Sequence, residues 1–178
     1  MKKEELVETI LKIKPELLKV ELERLSREHL IEVKEYWTEQ MKVAWNIYLV
    51  VGAPGSGKTT VCNQLTNEFE YIPHDLYPKT YIPEVLKRVK MASKPLLIET
   101  PFSVSKVMEP LNQAGYNVIP VFIIETPEVT SKRYFEREGK QIPQGHLTRI
   151  ETYKQRANEL KAFQGTSEQV LNHLKGIV

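Results

Sequence analysis

The sequence predicts an α/β protein, a three-layer α/β/α domain around a mostly parallel sheet, preceded by an N-terminal helical extension. Three observations point there. From Asn46 onward, short apolar runs rich in β-forming residues alternate with helical segments, the pattern of parallel strands joined by crossover helices. The first run, Ile47–Ala53, reaches glycine at its end, as a buried strand does on entering a tight turn. Before Asn46 the apolar residues recur at helical spacing instead. With 178 residues and 41% apolar side chains, the chain can bury one ordinary core plus an appendage without covalent staples.

The elements follow in order. Leu6, Val7, Ile10 and Leu11 mark a first helix, which Pro15 interrupts, and Leu17, Leu18, Leu22 and Leu25 mark a second. Ser26 is the N-cap of a third, carrying Leu30, Ile31, Val33, Tyr36, Trp37 and Met41. The extension therefore covers residues 1–45 and the α/β domain 46–178, with Tyr36, Trp37 and Trp45 expected to fill a core. Strands are expected at Ile47–Ala53, Tyr71–Ile72, Pro95–Thr100 and Val118–Glu125. Helices are expected after Lys58, from Pro83 to Met91, and from Ser103 to Ala114 before Gly115. Another opens with Thr126 as N-cap and Pro127 at the first helical position, and runs to Glu138 before Gly139. After Gly145 come His146 to Ala162 and a last helix opening at Thr166–Ser167, where Thr166 and Gln169 form a capping box.

Composition excludes several functions. One cysteine, Cys62, rules out a disulfide framework and a cysteine-built zinc site, and it reads as a small core residue. With 25 basic and 23 acidic residues, a net charge of +2 rules out recognition by bulk charge alone. His29, His146 and His173 have no ligand spacing. The start, MKKEELVETILKIKP, is broken by charges every few residues, which excludes a signal peptide. No apolar run approaches the roughly 20 residues that span a bilayer, so a soluble, cytoplasmic protein with no membrane partner is expected. All acidic residues but one are Glu; the exception is Asp75.

The strand at 47–51 runs into Gly52-Ala53-Pro54-Gly55-Ser56-Gly57-Lys58-Thr59, followed by Thr60, which matches the phosphate-binding loop G-x-x-x-x-G-K-[ST]. Glycines let the backbone curl so that successive N–H groups point at one set of phosphate oxygens. The following helix adds its positive end, Lys58 reaches the β- and γ-phosphates, and the Thr59 hydroxyl holds Mg²⁺. ATP and Mg²⁺ are the expected cofactors. Hydrolases of this class usually add an Asp at the end of a neighbouring strand to support Mg²⁺. This chain has no Asp there. Glu99, ending PLLIET, sits where such a carboxylate belongs, and Glu125 ends the next strand; either can substitute. A guanine-reading N-K-x-D is absent, which disfavours a GTP switch.

Asp75 follows Lys58 by one helix and one strand, at the carboxyl end of the sheet where phosphates sit. A carboxylate there can accept the proton of a hydroxyl attacking the γ-phosphate, which makes Asp75 the candidate general base. Arg133 and Arg137 lie four apart on one helix face, with Lys140 beyond. Two arginines over a transferring phosphoryl group stabilise its spread charge, and on a lid around 130–145 they also exclude water.

Together, GAPGSGKTT, His74-Asp75, a strand ending in Glu-Thr and the Arg-x-x-x-Arg segment resemble the small P-loop kinases. They look most like the polynucleotide kinase and zeta-toxin branch, over residues 46 to 175. The resemblance implies Asp75 as base, Lys58 and Thr59 on ATP and Mg²⁺, Arg133 and Arg137 as lid arginines, and the phosphate-loop strand in the middle of the sheet. Lys79 stands where such kinases commonly carry an acceptor-holding Arg, and Ala162–Gly165 is the nearest match to a final strand beside the adenine site.

For the acceptor, the leading expectation is a nucleic-acid hydroxyl, either a 5′-end or a hydroxymethylated base in DNA as in phage-type 5-hydroxymethyluracil kinases. Between 130 and 161 the chain has 8 basic and 4 acidic residues, and Tyr77 and Tyr81 near Asp75 are stacking candidates. The alternatives are a small metabolite (a nucleoside, nucleotide or nucleotide sugar) and a non-enzymatic module in which ATP gates a partner contact. The N-terminal helices suit a packed cap or a homodimer contact; LKVELERLSREHLIEV only weakly resembles helix-extension-helix DNA-binding motifs.

Overall fold

The computed structural model describes residues 1–15, 17–44, 46–73, 81–89, 91–92, 94–100 and 104–177, without the side chains of 38–44. It comprises two compact units, Met1–Ala44 and Trp45–Val178.

The first unit contains α1 (Lys3–Ile13), α2 (Lys19–Arg24) and α3 (Arg27–Ala44). Leu6, Val7 and Ile10 of α1 close on Leu22 and Leu30 to form its core. Pro15 restricts the residue before it to extended backbone, so α1 ends with Lys14 as its cap. Ser26 accepts a hydrogen bond from the His29 N–H at 3.2 Å and starts α3. Tyr36 is 57% exposed, against the expected core role. It lies six residues past the core residue Leu30, about 240° round the helix, and so faces away from that core. Its ring meets Trp37 edge-on, and the Lys14 ammonium sits 5.1 Å from the Trp37 ring centre. Trp45 lies outside the described residues.

In the second unit the elements run β1 (Asn46–Gly52), α4 (Lys58–Asn63), β2 (Glu70–Ile72), α5 (Tyr81–Val89), β3 (Leu96–Thr100), α6 (Val104–Gln113) and β4 (Asn117–Ile123). They continue with α7 (Pro127–Glu138), α8 (Gln144–Glu159), β5 (Phe163–Gly165) and α9 (Ser167–Lys175). The sheet order is β2-β3-β1-β4-β5, every pair parallel, so the phosphate-loop strand is central. Period-2 alternation splits β1 between two cores. Ile47, Leu49 and Val51 pack with Val85, Leu111, Phe122 and Ile150, while Tyr48 and Val50 pack with Val61, Leu65, Phe69 and Val170. Helices thus cover both faces, giving the α/β/α layers that the strand–helix alternation predicts.

Several boundaries differ from expectation. The helix expected to reach Ala162 stops at Glu159. Lys161 turns into the left-handed region (φ 50°), the Ala162 N–H closes on Ala157 O at 2.9 Å, and the released segment pairs with β4 as β5. Helix α5 begins at Tyr81, with Pro83 in its first turn where no N–H is needed. Gly145 lies inside α8 rather than before it. Pro120 is tolerated in β4 because β5 begins pairing only at Val121, one residue later.

The capping box of α9 is present: Thr166 Oγ1 accepts from Gln169 N at 3.3 Å and Gln169 Oε1 accepts from Thr166 N at 2.8 Å. Thr166→Ala is expected to lower stability by about 1 kcal/mol, read as a shifted urea midpoint with an unchanged slope. Among the described residues, no helix is long and apolar enough to cross a membrane.

Candidate active site

The phosphate loop starts where β1 ends. Ser56 N donates to Ala53 O at 3.1 Å, closing a turn around Pro54 and Gly55. Gly55 (φ 84°) and Gly57 (φ 92°) adopt left-handed backbone. A Cβ on Gly55 would lie 2.6 Å from Thr130 O of α7, so only glycine permits this approach as well as this φ. Gly57 caps α4, leaving the first-turn N–H groups of Lys58, Thr59 and Thr60 without intrahelical acceptors. Thr59 and Thr60 are exposed, while Ser56 is buried with no partner for its hydroxyl. Lys58 Nζ donates to Gly52 O at 2.9 Å and Ala53 O at 3.1 Å.

Beside the loop, β3 pairs with β1 so that Glu99 stands opposite Val50. The Glu99 side chain is buried, and Oε2 accepts a 3.0 Å hydrogen bond from Thr59 Oγ1. Its backbone oxygen accepts the Tyr81 hydroxyl at 2.8 Å. Burial, then the Glu99 charge, push the Tyr81 phenol far above its ordinary value, so it remains a donor. A hydroxyl and a carboxylate oxygen in contact fit a hard cation that completes its shell with water and phosphate oxygens, as Mg²⁺ does. The loop's left-handed glycines and the positive end of the helix that follows fit a polyphosphate.

Glu125 takes another role. Its Oε1 accepts from Ser167 Oγ at 2.6 Å, Ser167 N at 2.9 Å and Arg133 Nη1 at 3.1 Å. Arg133 Nη1 also lies 3.4 Å from Ser56 O and 3.3 Å from Ser167 Oγ. Burial alone would raise the Glu125 carboxyl, but the two Ser167 hydrogen bonds and the Arg133 charge outweigh it and hold the carboxyl below its ordinary 4.5. A carboxylate depressed in the folded state adds stability that is complete above the unfolded value and drains as pH falls through the folded one. Urea melts from about pH 7 down to about pH 3 should therefore show a smaller acid loss in Glu125→Gln than in the unaltered chain.

The structure brings Gly52, Ala53, Pro54, Gly55, Ser56, Gly57, Lys58, Thr59, Thr60 and Glu99 together at the mouth of the central strand. It separates the two arginines. Arg133 is bound to Glu125 and the loop rim, whereas Arg137 pairs with Glu138 at 2.8 Å and lies 5.8 Å from the Tyr134 ring centre. Asp75, His74, Tyr77 and Lys79 lie outside the described residues. Tyr81, expected as a stacking surface, is instead buried against Glu99, because its helix turns it into the core.

No family model matches the chain, and no curated protein sequence does. Among solved structures, a gluconokinase from Sinorhizobium meliloti 1021 is similar, at 16% identity with a TM-score of 0.51. The match covers 71% of this chain and 87% of that one. The parallel α/β/α fold is shared with that gluconokinase. The tunicamycin resistance protein of Deinococcus radiodurans is also similar, at 19% identity over 72% of this chain and 95% of that one, with a TM-score of 0.47.

Within this fold, sequence reasoning missed two contributors to the site. Ser167 reads as a helix-cap neighbour, and its bond to Glu125 spans 42 positions. Tyr81 reads as an aromatic near Asp75; the signal for its buried role is Val85 and Val89 at helical spacing behind it.

Proposed function

We propose that the protein is an ATP-dependent phosphotransferase that moves the γ-phosphoryl group onto a hydroxyl of a small molecule. The observation that carries this reading is the Thr59–Glu99 pair at the mouth of the phosphate loop, a metal-holding arrangement beside a polyphosphate cradle. In this reading the loop amides of 52–60 and Lys58 hold ATP, while Thr59 and Glu99 hold Mg²⁺. Held there, Mg²⁺ would supply positive charge against the phosphates during transfer. The acceptor oxygen attacks the γ-phosphorus in line, the bond to the β–γ bridging oxygen breaks, and Asp75 takes the hydroxyl proton. Arg137, 59% exposed, is the lid arginine available to the transferring group.

A small acceptor is supported by how the basic residues are used. Lys132, Arg133, Arg137, Lys154 and Arg156 each pair with a nearby glutamate, so five of the eight basic residues of 130–161 are already engaged in ion pairs. With Tyr81 buried, a stacking platform for bases also loses a member. The gluconokinase that shares the fold is named for a small acceptor.

The test is transfer of label from γ-labelled ATP to a panel of polyols, sugar acids, nucleosides, nucleotide sugars, RNA, and DNA with a 5′-hydroxyl or hydroxymethyluracil. Label is expected in the small-molecule arm. Label confined to polymer overturns the acceptor class in favour of the nucleic-acid reading. ATP binding with no transfer to any arm, accompanied by a change in association state, supports an ATP-gated interaction module instead.

A further inference from the structure

One buried carboxylate oxygen collects three donors from two helices, and nothing in the phosphotransfer scheme above uses it. Glu125 stands at the end of β4, the strand beside β1 on the side opposite Glu99. Its Oε1 takes the backbone and side-chain donors of Ser167, the first residue of α9, and Nη1 of Arg133 from the middle of α7. The Glu125 side chain is 7% exposed and that of Arg133 is 42% exposed. The pair therefore has a buried anchor and an open end.

The open end lies at the loop. Arg133 Nη1 reaches Ser56 O, and a Cβ on Gly57 would come within 3.3 Å of it. All the hydrogen bonds that Arg133 makes within the described residues use Nη1, which leaves Nε and Nη2 as donors. A guanidinium in this position can give a planar pair of N–H groups to a phosphate held by the loop, provided its orientation is fixed beforehand. A free, half-exposed arginine would have to lose that rotational freedom on binding. Glu125 removes it in advance, and Ser167, by filling two further acceptor directions on the same oxygen, holds the carboxylate itself.

We infer that Glu125 is a positioning residue of the nucleotide site, acting through Arg133 and braced by Ser167 to present the guanidinium to the phosphates of a bound nucleotide. This rests on the phosphotransferase reading only in assuming that the loop binds Mg·ATP.

The experiment is titration calorimetry of Mg·ATP into the full chain and into Glu125→Gln, Arg133→Met and the double variant, with a thermal melt of each. Glutamine keeps the shape and one acceptor oxygen but removes the charge that fixes Arg133. Mg·ATP affinity is expected to fall about tenfold in Glu125→Gln and at least as far in Arg133→Met, the scale of one charge-assisted hydrogen bond. The double variant should match Arg133→Met, since Glu125 has nothing left to position. Affinity of Glu125→Gln within about twofold of the unaltered chain overturns the inference, even if its melting temperature drops, because a purely structural role moves stability alone. Fully additive losses overturn it as well. Should Glu125→Gln fail to fold, Ser167→Ala decides, with a several-fold loss that vanishes in the Arg133→Met background as the expected result. An unaltered chain that binds no Mg·ATP overturns the nucleotide reading itself, a different failure from binding that ignores Glu125.

Discussion

Asp75→Asn is expected to cut phosphoryl transfer by about 10²–10⁴-fold while leaving Mg·ATP affinity close to that of the unaltered chain. Asparagine preserves size and polarity and removes only the ability to take a proton. The attacking hydroxyl must lose its proton during transfer, and Asp75 is the single aspartate in the chain. It falls in the connection between Ile72, the end of β2, and Tyr81, the start of α5, and Tyr81 is tied to the backbone of Glu99. Glu99 in turn holds Thr59 of the loop. The return of that connection is thus fastened to the residue proposed to support Mg²⁺. Initial rates with the acceptor identified by label transfer, together with calorimetry on the same preparation, separate the two quantities. A variant that transfers at the unaltered rate removes Asp75 from the base role; one that also loses ATP affinity makes it a binding residue.

The alternation of parallel strands with helices is legible because its signals are local and strong, whereas the central place of the phosphate-loop strand comes from the family resemblance. A run such as IYLVV ending at a glycine-rich turn leaves little choice but a buried strand feeding a phosphate loop, and parallel pairing follows from the helices between strands. Phe163–Gly165 was harder, since three residues with an exposed phenylalanine give no period, and the pairing with β4 supplies what the sequence lacks. The site divides in the same way. Contacts made by backbone in one octet are written in its glycines. The choice between Glu99 and Glu125 depends on which neighbour of β1 each strand becomes and what sits above it, and spacing along the chain does not carry that information. Both carboxylates end strands. One meets Thr59, and the other meets a serine and an arginine from different helices. Tyr81 shows a further limit: an aromatic near a candidate base looks functional until the helix that carries it is seen to bury it.

Lys58→Met should lower Mg·ATP affinity by about 10²-fold, from the loss of charge-assisted hydrogen bonds to phosphate. The ammonium is held by Gly52 O and Ala53 O, so nucleotide binding would exchange part of that arrangement for phosphate contacts. Two effects then oppose each other. Methionine removes the charge that phosphates need, and it also removes the bonds to the loop carbonyls that binding would have to rearrange. The first wins, because carbonyls at a part-buried rim recover partners from water, whereas a polyphosphate loses a full positive charge in the cradle. Because those carbonyls regain water, the stability cost stays at about 1 kcal/mol, the net worth of an ordinary hydrogen bond. Lys58→Arg is not expected to restore binding, since a planar fork cannot replace a compact ammonium between those two carbonyls. Calorimetry and a melt on the two variants test both halves. Unchanged affinity in Lys58→Met would mean that the loop's curled backbone alone carries nucleotide binding, and the lysine would then serve only to close the loop on itself.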